Sequence, residues 1–235
     1  MKPFLSKVLL GTMLVTFLFV GYCPETSAAP ITKTLGEDTK ITPPGVMAII
    51  WISIPEFKQG TTVALNENGE VLEGILTSTE RLPYVRGAVY YPRVINFKAG
   101  TKVIFNNRGE VIKGTVDELT GIPISETDTV MVKAGGEISF HENGMLATFF
   151  PAFDIYLRSS KWQQNLTASY TNKVACPGFI EFKGWTLVEL NEKGEVVKGT
   201  LNKATKLLSP SGIKLYEAGT TVEFDENGVV VKASK

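Results

Sequence analysis

"FKAGTKVIFNNRGEVIKGTV", Phe97–Val116, is the stretch whose reading decides the fold. Near copies stand at Phe57, "FKQGTTVALNENGEVLEGIL", and at Phe182, "FKGWTLVELNEKGEVVKGTL". Each contains Asn-x-x-Gly. An Asn side chain accepts from backbone N–H groups a little further on, and Gly enters φ > 0 without a Cβ clash. Together these give a type I turn closed by a Gly bulge. Thr101, Val103 and Phe105 alternate before the turn, so they share one face of a strand. A second β-prone run follows it, and the unit reads as a β-hairpin.

The turn recurs five times: Asn66–Gly69, Asn106–Gly109, His141–Gly144, Asn191–Gly194 and Asp225–Gly228. Successive turn glycines lie 40, 35, 50 and 34 residues apart. A second glycine precedes four of the turns, at Gly60, Gly100, Gly135 and Gly219; in the fourth unit Trp185 holds that place and Gly184 precedes it. A weaker match links "TLGEDTKITPPG" from Thr34, "TVDELTGIPIS" from Thr115 and "TLNKATKLLSPSG" from Thr200. A lone hairpin is marginal in water, but stacked copies bury a continuous apolar face. The expected fold is therefore all-β, with tandem β-hairpin repeats stacked into an elongated solenoid-like or meander sheet. No segment keeps a 3.6-residue period. One short helical turn within residues 159–172 is the most helix expected.

The unit from Gly60 to Gly74, G-T-x-V-x-L-N-x-N-G-x-V-x-x-G, resembles the hairpin of bacterial cell-wall-binding repeats of the choline-binding type. Those repeats cage a quaternary ammonium with strand aromatics. Here the equivalent positions are mostly aliphatic, such as Val63, Leu65, Val188 and Leu190, which suits a core and not a cage. The chain as a whole resembles exported bacterial proteins built from K-A-G-T-x-V-x-F-N-x-x-G-x-V-x-x-G-T-L repeats, a group with no assigned activity. Both resemblances imply an exported, non-catalytic protein of the bacterial envelope.

Residues 1–28 read as a signal peptide: Lys2 and Lys7, an apolar run from Val8 to Val20, then small and polar residues up to a cleavage point after Ala28. The apolar run is short for a membrane span, so membrane contact is expected only if this segment is retained. Tyr22 stands where a lipid-attachment motif at Cys23 needs a small residue. Residues 29–235 form the repeat domain, with Cys176 as its single thiol. With 24 basic and 24 acidic residues there is no overall field to draw nucleic acid.

The inventory for catalysis is thin. His141 is the only histidine, set in a turn and read as solvated; "HENG" is not a zinc-protease motif. Neither a metal nor a cofactor is expected, and "DENG" at Asp225 is explained by turn chemistry. Most Glu residues, among them Glu70, Glu110 and Glu195, repeat from unit to unit. That pattern favours a surface role, with a carbohydrate- or wall-active hydrolase using paired carboxylates as the alternative. Two segments break the pattern. Val46–Ile54 is almost wholly apolar and reads as a buried strand, with a membrane-touching or self-association edge as the alternative. Residues 149–185 form an aromatic-rich insertion, whose rings either cap the core of the neighbouring hairpins or present a binding surface. Tyr156, Trp162, Tyr170 and Trp185, beside Arg158 and Lys161, are the candidate binding residues, since Trp and Tyr offer rigid contact area with a polar handle. The expected partner is a cell-wall polysaccharide or another envelope protein.

Overall fold

The computed structural model describes residues 29–45, 54–85, 93–125, 128–165 and 178–235. The signal-peptide segment, most of Val46–Ile54, Tyr170 and Cys176 lie outside these. The described chain is nearly all strand and alternates between two kinds of antiparallel pair. The first kind builds one 11-stranded meander: β1 (Ile31–Thr34), β4 (Thr62–Leu65), β5 (Val71–Ile75), β8 (Lys102–Phe105), β9 (Val111–Thr115), β12 (Glu137–Phe140), β13 (Leu146–Phe149), β16 (Val188–Leu190), β17 (Val196–Thr200), β20 (Thr221–Phe224) and β21 (Val230–Ser234), in that spatial order. The second kind forms five separate two-stranded pairs between these hairpins: β2 (Thr39–Lys40) with β3 (Glu56–Phe57), β6 (Glu80–Val85) with β7 (Arg93–Phe97), β10 (Thr120–Pro123) with β11 (Thr129–Val132), β14 (Ile155–Leu157) with β15 (Ile180–Phe182), and β18 (Thr205–Ser209) with β19 (Gly212–Tyr216). The single helical turn among the described residues is Trp162–Asn165, inside the stretch expected to hold one. No helix among the described residues is long and apolar enough to cross a membrane.

The turns form as their sequence dictates. Asn66 Oδ1 accepts from the N–H groups of Asn68 and Glu70, at 3.0 and 2.9 Å, and the Gly69 N–H returns to the Asn66 carbonyl at 3.0 Å. Asn106, Asn191 and Asp225 do the same. The K-A-G-T corner is held by its threonine: Thr61, Thr101 and Thr186 each donate to the carbonyl three residues back at 2.6 Å. The weaker match also has a physical basis. Thr39, Thr120 and Thr205 open the first strands of their two-stranded pairs, each hydroxyl donating to the carbonyl two residues back at 2.8 Å. Each sheet hairpin carries a further register shift just beyond its turn, at Ala64/Leu65, Ile104/Phe105, Ser139/Phe140, Glu189/Leu190 and Glu223/Phe224. The sequence reading did not anticipate this second bulge, which adds twist to every unit.

Units are joined edge to edge and across the core. One cross-strand row runs Thr32, Ala64, Glu73, Ile104, Lys113, Ser139, Thr148, Glu189, Lys198, Glu223, Lys232 without interruption. It lies on the face away from the core and ends in alternating charges, with Lys198 3.4 Å from Glu189 and 3.2 Å from Glu223. On the other face, side chains from the sheet and from the two-stranded pairs share one hydrophobic cluster. Phe57, Phe97 and Phe182, fully buried, lie over Gly74, Gly114 and Gly199 of the sheet. Burial of each ring contributes about 1.5–3 kcal/mol.

The 149–185 segment is a smaller departure than its sequence implies. Phe149 ends a sheet strand, and β14 and β15 are the same two-stranded pair that every other unit possesses, with Ile155 opposite Phe182. Only its tip is long. The tips of the five pairs are 41–55, 86–92, 124–128, 158–179 and 210–211, and their unequal lengths account for the uneven spacing of the turns.

Candidate functional site

Two of the tips lean over sheet-hairpin turns. A Cβ added to Gly194 would stand 2.1 Å from the Ile124 carbonyl oxygen, and one added to Gly228 would stand 2.0 Å from that of Ser160. Ile124 and Ser160 belong to the tips of the β10–β11 and β14–β15 pairs. Between these two neighbouring pairs, above the fourth turn, lies a cleft of about 280 Å³. Ile124, Val130, Ile155 and Leu157 form its apolar wall; Ser125, Asp128, Tyr156, Arg158, Trp162, Phe179, Lys193 and Glu195 bring the rings and polar groups.

Local structure fixes these groups. The Arg158 carbonyl accepts from the Val196 N–H at 2.8 Å, and Ser159 bridges Val196, so the start of the tip is pinned to β17. The Arg158 guanidinium then lies between two rings, 4.1 Å from the Trp162 centroid and 4.1 Å from that of Phe179. Each cation–π contact contributes on the order of 1 kcal/mol. The Arg158 Nε is buried and has no hydrogen-bond partner. Glu195 Oε2 accepts from Ser160 Oγ at 2.8 Å and from Asn191 Nδ2 at 2.9 Å. Asp128 Oδ2 accepts from Ser125 Oγ at 2.8 Å.

The sequence-derived residues divide. Tyr156 and Trp162 meet in the cleft. Tyr156 is half exposed and has Lys203 Nζ 5.7 Å from its ring. Trp162 gives one contact to Arg158 and packs so closely on Gly178 that a Cβ there would lie 2.3 Å from its ring. Trp185 does not line the cleft: it stands at the corner before β16, 65% exposed, with Nε1 donating to the Ala152 carbonyl at 2.6 Å and Lys133 Nζ 4.3 Å from its ring centroid. His141 is half-buried, not fully solvated, and its Nε2 lies 2.9 Å from the Leu190 carbonyl oxygen of the next unit. Asp225 spends its carboxylate on its own turn, as turn chemistry requires. Sequence reasoning missed Asp128, Lys193 and Glu195 as neighbours of Tyr156. Glu195 and Lys193 carry the repeat's own signature, so nothing local marks them; their place comes from the tip that folds onto that one turn. No group of His, Cys, Asp and Glu suited to a metal ion occurs among the described residues.

No protein-family model matches the chain, and no curated protein sequence is similar to it.

Proposed function

We propose that the chain is an exported, non-catalytic binding protein of a bacterial cell envelope, and that it contacts a wall polysaccharide or an envelope partner through the tips of its two-stranded pairs. The observation that carries this reading is the contrast between spine and tips. The sheet hairpins repeat the same turn and the same corner hydrogen bond. Variation in length is concentrated in the tips, where binding residues on repeat scaffolds gather. The β14–β15 tip holds aromatic and charged side chains around a cleft, which suits recognition of a polar ligand with a hydrophobic face.

The test is sedimentation of purified protein with isolated cell wall and with whole envelope fractions. Tyr156→Ala with Trp162→Ala is expected to weaken retention while β-sheet circular dichroism persists; undiminished retention by the folded double variant would place contact elsewhere. The second reading, a hydrolase using paired carboxylates, draws on Asp128 and Glu195 lining one cleft. Release of new reducing ends from wall polysaccharide, abolished by Glu195→Gln, would favour it.

A further inference from the structure

We infer that the cleft recognises a saccharide bearing a carboxylate, with Arg158 as the anchor; this rests on the binding reading above and names its ligand class. The argument starts from an imbalance. Arg158 Nε is buried without a hydrogen-bond partner, and no ion pair to the guanidinium forms among the described residues. Arg158 as a residue is half-buried, but a buried N–H left without an acceptor costs stability unless something compensates it. The two rings at 4.1 Å compensate in part and hold the guanidinium in place. A guanidinium held by stacking is pre-organised for two parallel hydrogen bonds to a carboxylate. Lys193 brings a second cation to the same cleft.

The cleft's own carboxylates do not supply that partner. Glu195 is engaged by Ser160 and Asn191 at 2.8 and 2.9 Å, and Asp128 by Ser125 at 2.8 Å. A carboxylate has about four acceptor sites, so Glu195, with its two donors on Oε2, retains capacity for donors from a ligand. Sugar hydroxyls are such donors, and half-exposed Tyr156 offers a ring for a pyranose face. A peptide C-terminus would present the same carboxylate, but it brings amide groups that call for backbone partners along a strand edge and few hydroxyls for Glu195. The saccharide is therefore the better match.

Titration calorimetry with short oligogalacturonate and with its methyl ester tests this, because the ester keeps the sugar and removes the charge. The acid is expected to bind about 10- to 100-fold more tightly than the ester. Arg158→Met should lower affinity for the acid by a similar factor and leave the melting temperature equal or higher, since Met packs against the rings without a buried, unpartnered N–H. Equal affinities for acid and ester, binding of neither, an unchanged Arg158→Met variant, or tighter binding of a free-C-terminus peptide would each overturn the inference. The acid–ester comparison uses the unaltered chain, so it decides the matter even where a variant folds poorly. Retention by envelope fractions without preference for the acid would sink the anion inference alone; loss of envelope retention as well would sink the binding reading with it.

Discussion

Trp185 has φ 63°, in a corner where the other four units place glycine at φ 69–78°. The same backbone bond closes all five corners: the Trp185 N–H donates to the Pro151 carbonyl at 2.8 Å, as Gly100 does to Leu76 and Gly219 to Leu201. The corner is thus imposed by the repeat, and a side chain there meets the penalty for the left-handed region, about 1–2 kcal/mol. The indole recovers some of it through its bond to Ala152 and its contact with Lys133. Trp185→Ala loses those contacts and keeps the strain; Trp185→Gly loses the contacts and releases it. Calorimetry is expected to find the Gly variant about 1 kcal/mol more stable than the Ala variant, and equal stabilities would mean that the corner relaxes. A second comparison separates strain from space. Gly69 and Gly228 share the same conformation, with φ 78° and 72°, but only Gly228 has a backbone oxygen 2.0 Å from its absent Cβ. Gly69→Ala should cost about 1–2 kcal/mol, and Gly228→Ala about 1–3 kcal/mol more, from the forced backbone shift.

Between strands, the repeat solves one packing problem in two ways. In three units a fully buried Phe lies over a sheet Gly: an added Cβ at Gly74, Gly114 or Gly199 would approach the Phe57, Phe97 or Phe182 ring to 2.4, 2.6 or 2.5 Å. In the third unit the sizes are exchanged. Val132 holds the Phe position, bridging Pro151 as Phe97 bridges Val116, and Phe149 holds the Gly position; both are fully buried. In every pair the aromatic ring faces a smaller residue, although Val132 with Phe149 fills more space than Phe with Gly, and a close-packed interior must make room for the difference. Phe149→Gly alone should therefore cost about 3–5 kcal/mol through the cavity it leaves. Adding Val132→Phe should restore much of that loss, giving a favourable coupling of about 1–3 kcal/mol in a double-mutant cycle. Strict additivity would show that the two positions do not share one site. The exchange also shows what was legible in the sequence. Turn chemistry and strand alternation lie within about twenty consecutive residues, so the hairpins and their stacking could be read directly. The two-stranded pairs could not: β14 and β15 are separated by the whole of 158–179, and only the periodic Ile155, Leu157, Ile180 and Phe182 betray them. Tyr156 and Trp162 were legible as candidates because aromatic residues stand out. Asp128 and Lys193 were not, because proximity to them is created by tips folding onto turns far away in the chain.

For the whole molecule, each unit is stabilised by its neighbours, so the contacts that tie a pair to the next unit govern cooperativity. Glu181 of β15 is such a tie. Its Oε2 is 2.5 Å from Lys203 Nζ, its Oε1 accepts from Asn202 Nδ2 at 3.0 Å, and its own carbonyl accepts from the Asn202 N–H at 3.0 Å. The hydrogen bond from Lys203 is the main reason the Glu181 carboxyl lies below its ordinary value, with Asn202 and Tyr156 adding to it against the opposing effect of burial. Lys203 is correspondingly raised, chiefly by Glu181. A carboxyl with a lowered folded-state value binds fewer protons folded than unfolded, so its contribution is complete above the unfolded carboxylate range, about pH 4.3. It is lost as pH falls through the folded value. The lysine acts at the other end: its contribution is complete below the ordinary lysine range and is lost as pH rises through its raised value. The pair therefore stabilises fully across neutral pH and fades at both extremes. Lys203 is half exposed, so solvent screening limits the effect to about 0.5–1 kcal/mol. Glu181→Gln should lower the melting temperature near neutrality, with the gap to the unaltered chain closing as the pH drops below the carboxylate range and narrowing in high salt. A gap that stays constant from neutral to strongly acidic pH would mean that Glu181 acts through packing and its neutral hydrogen bonds, and that the link between these units is not electrostatic.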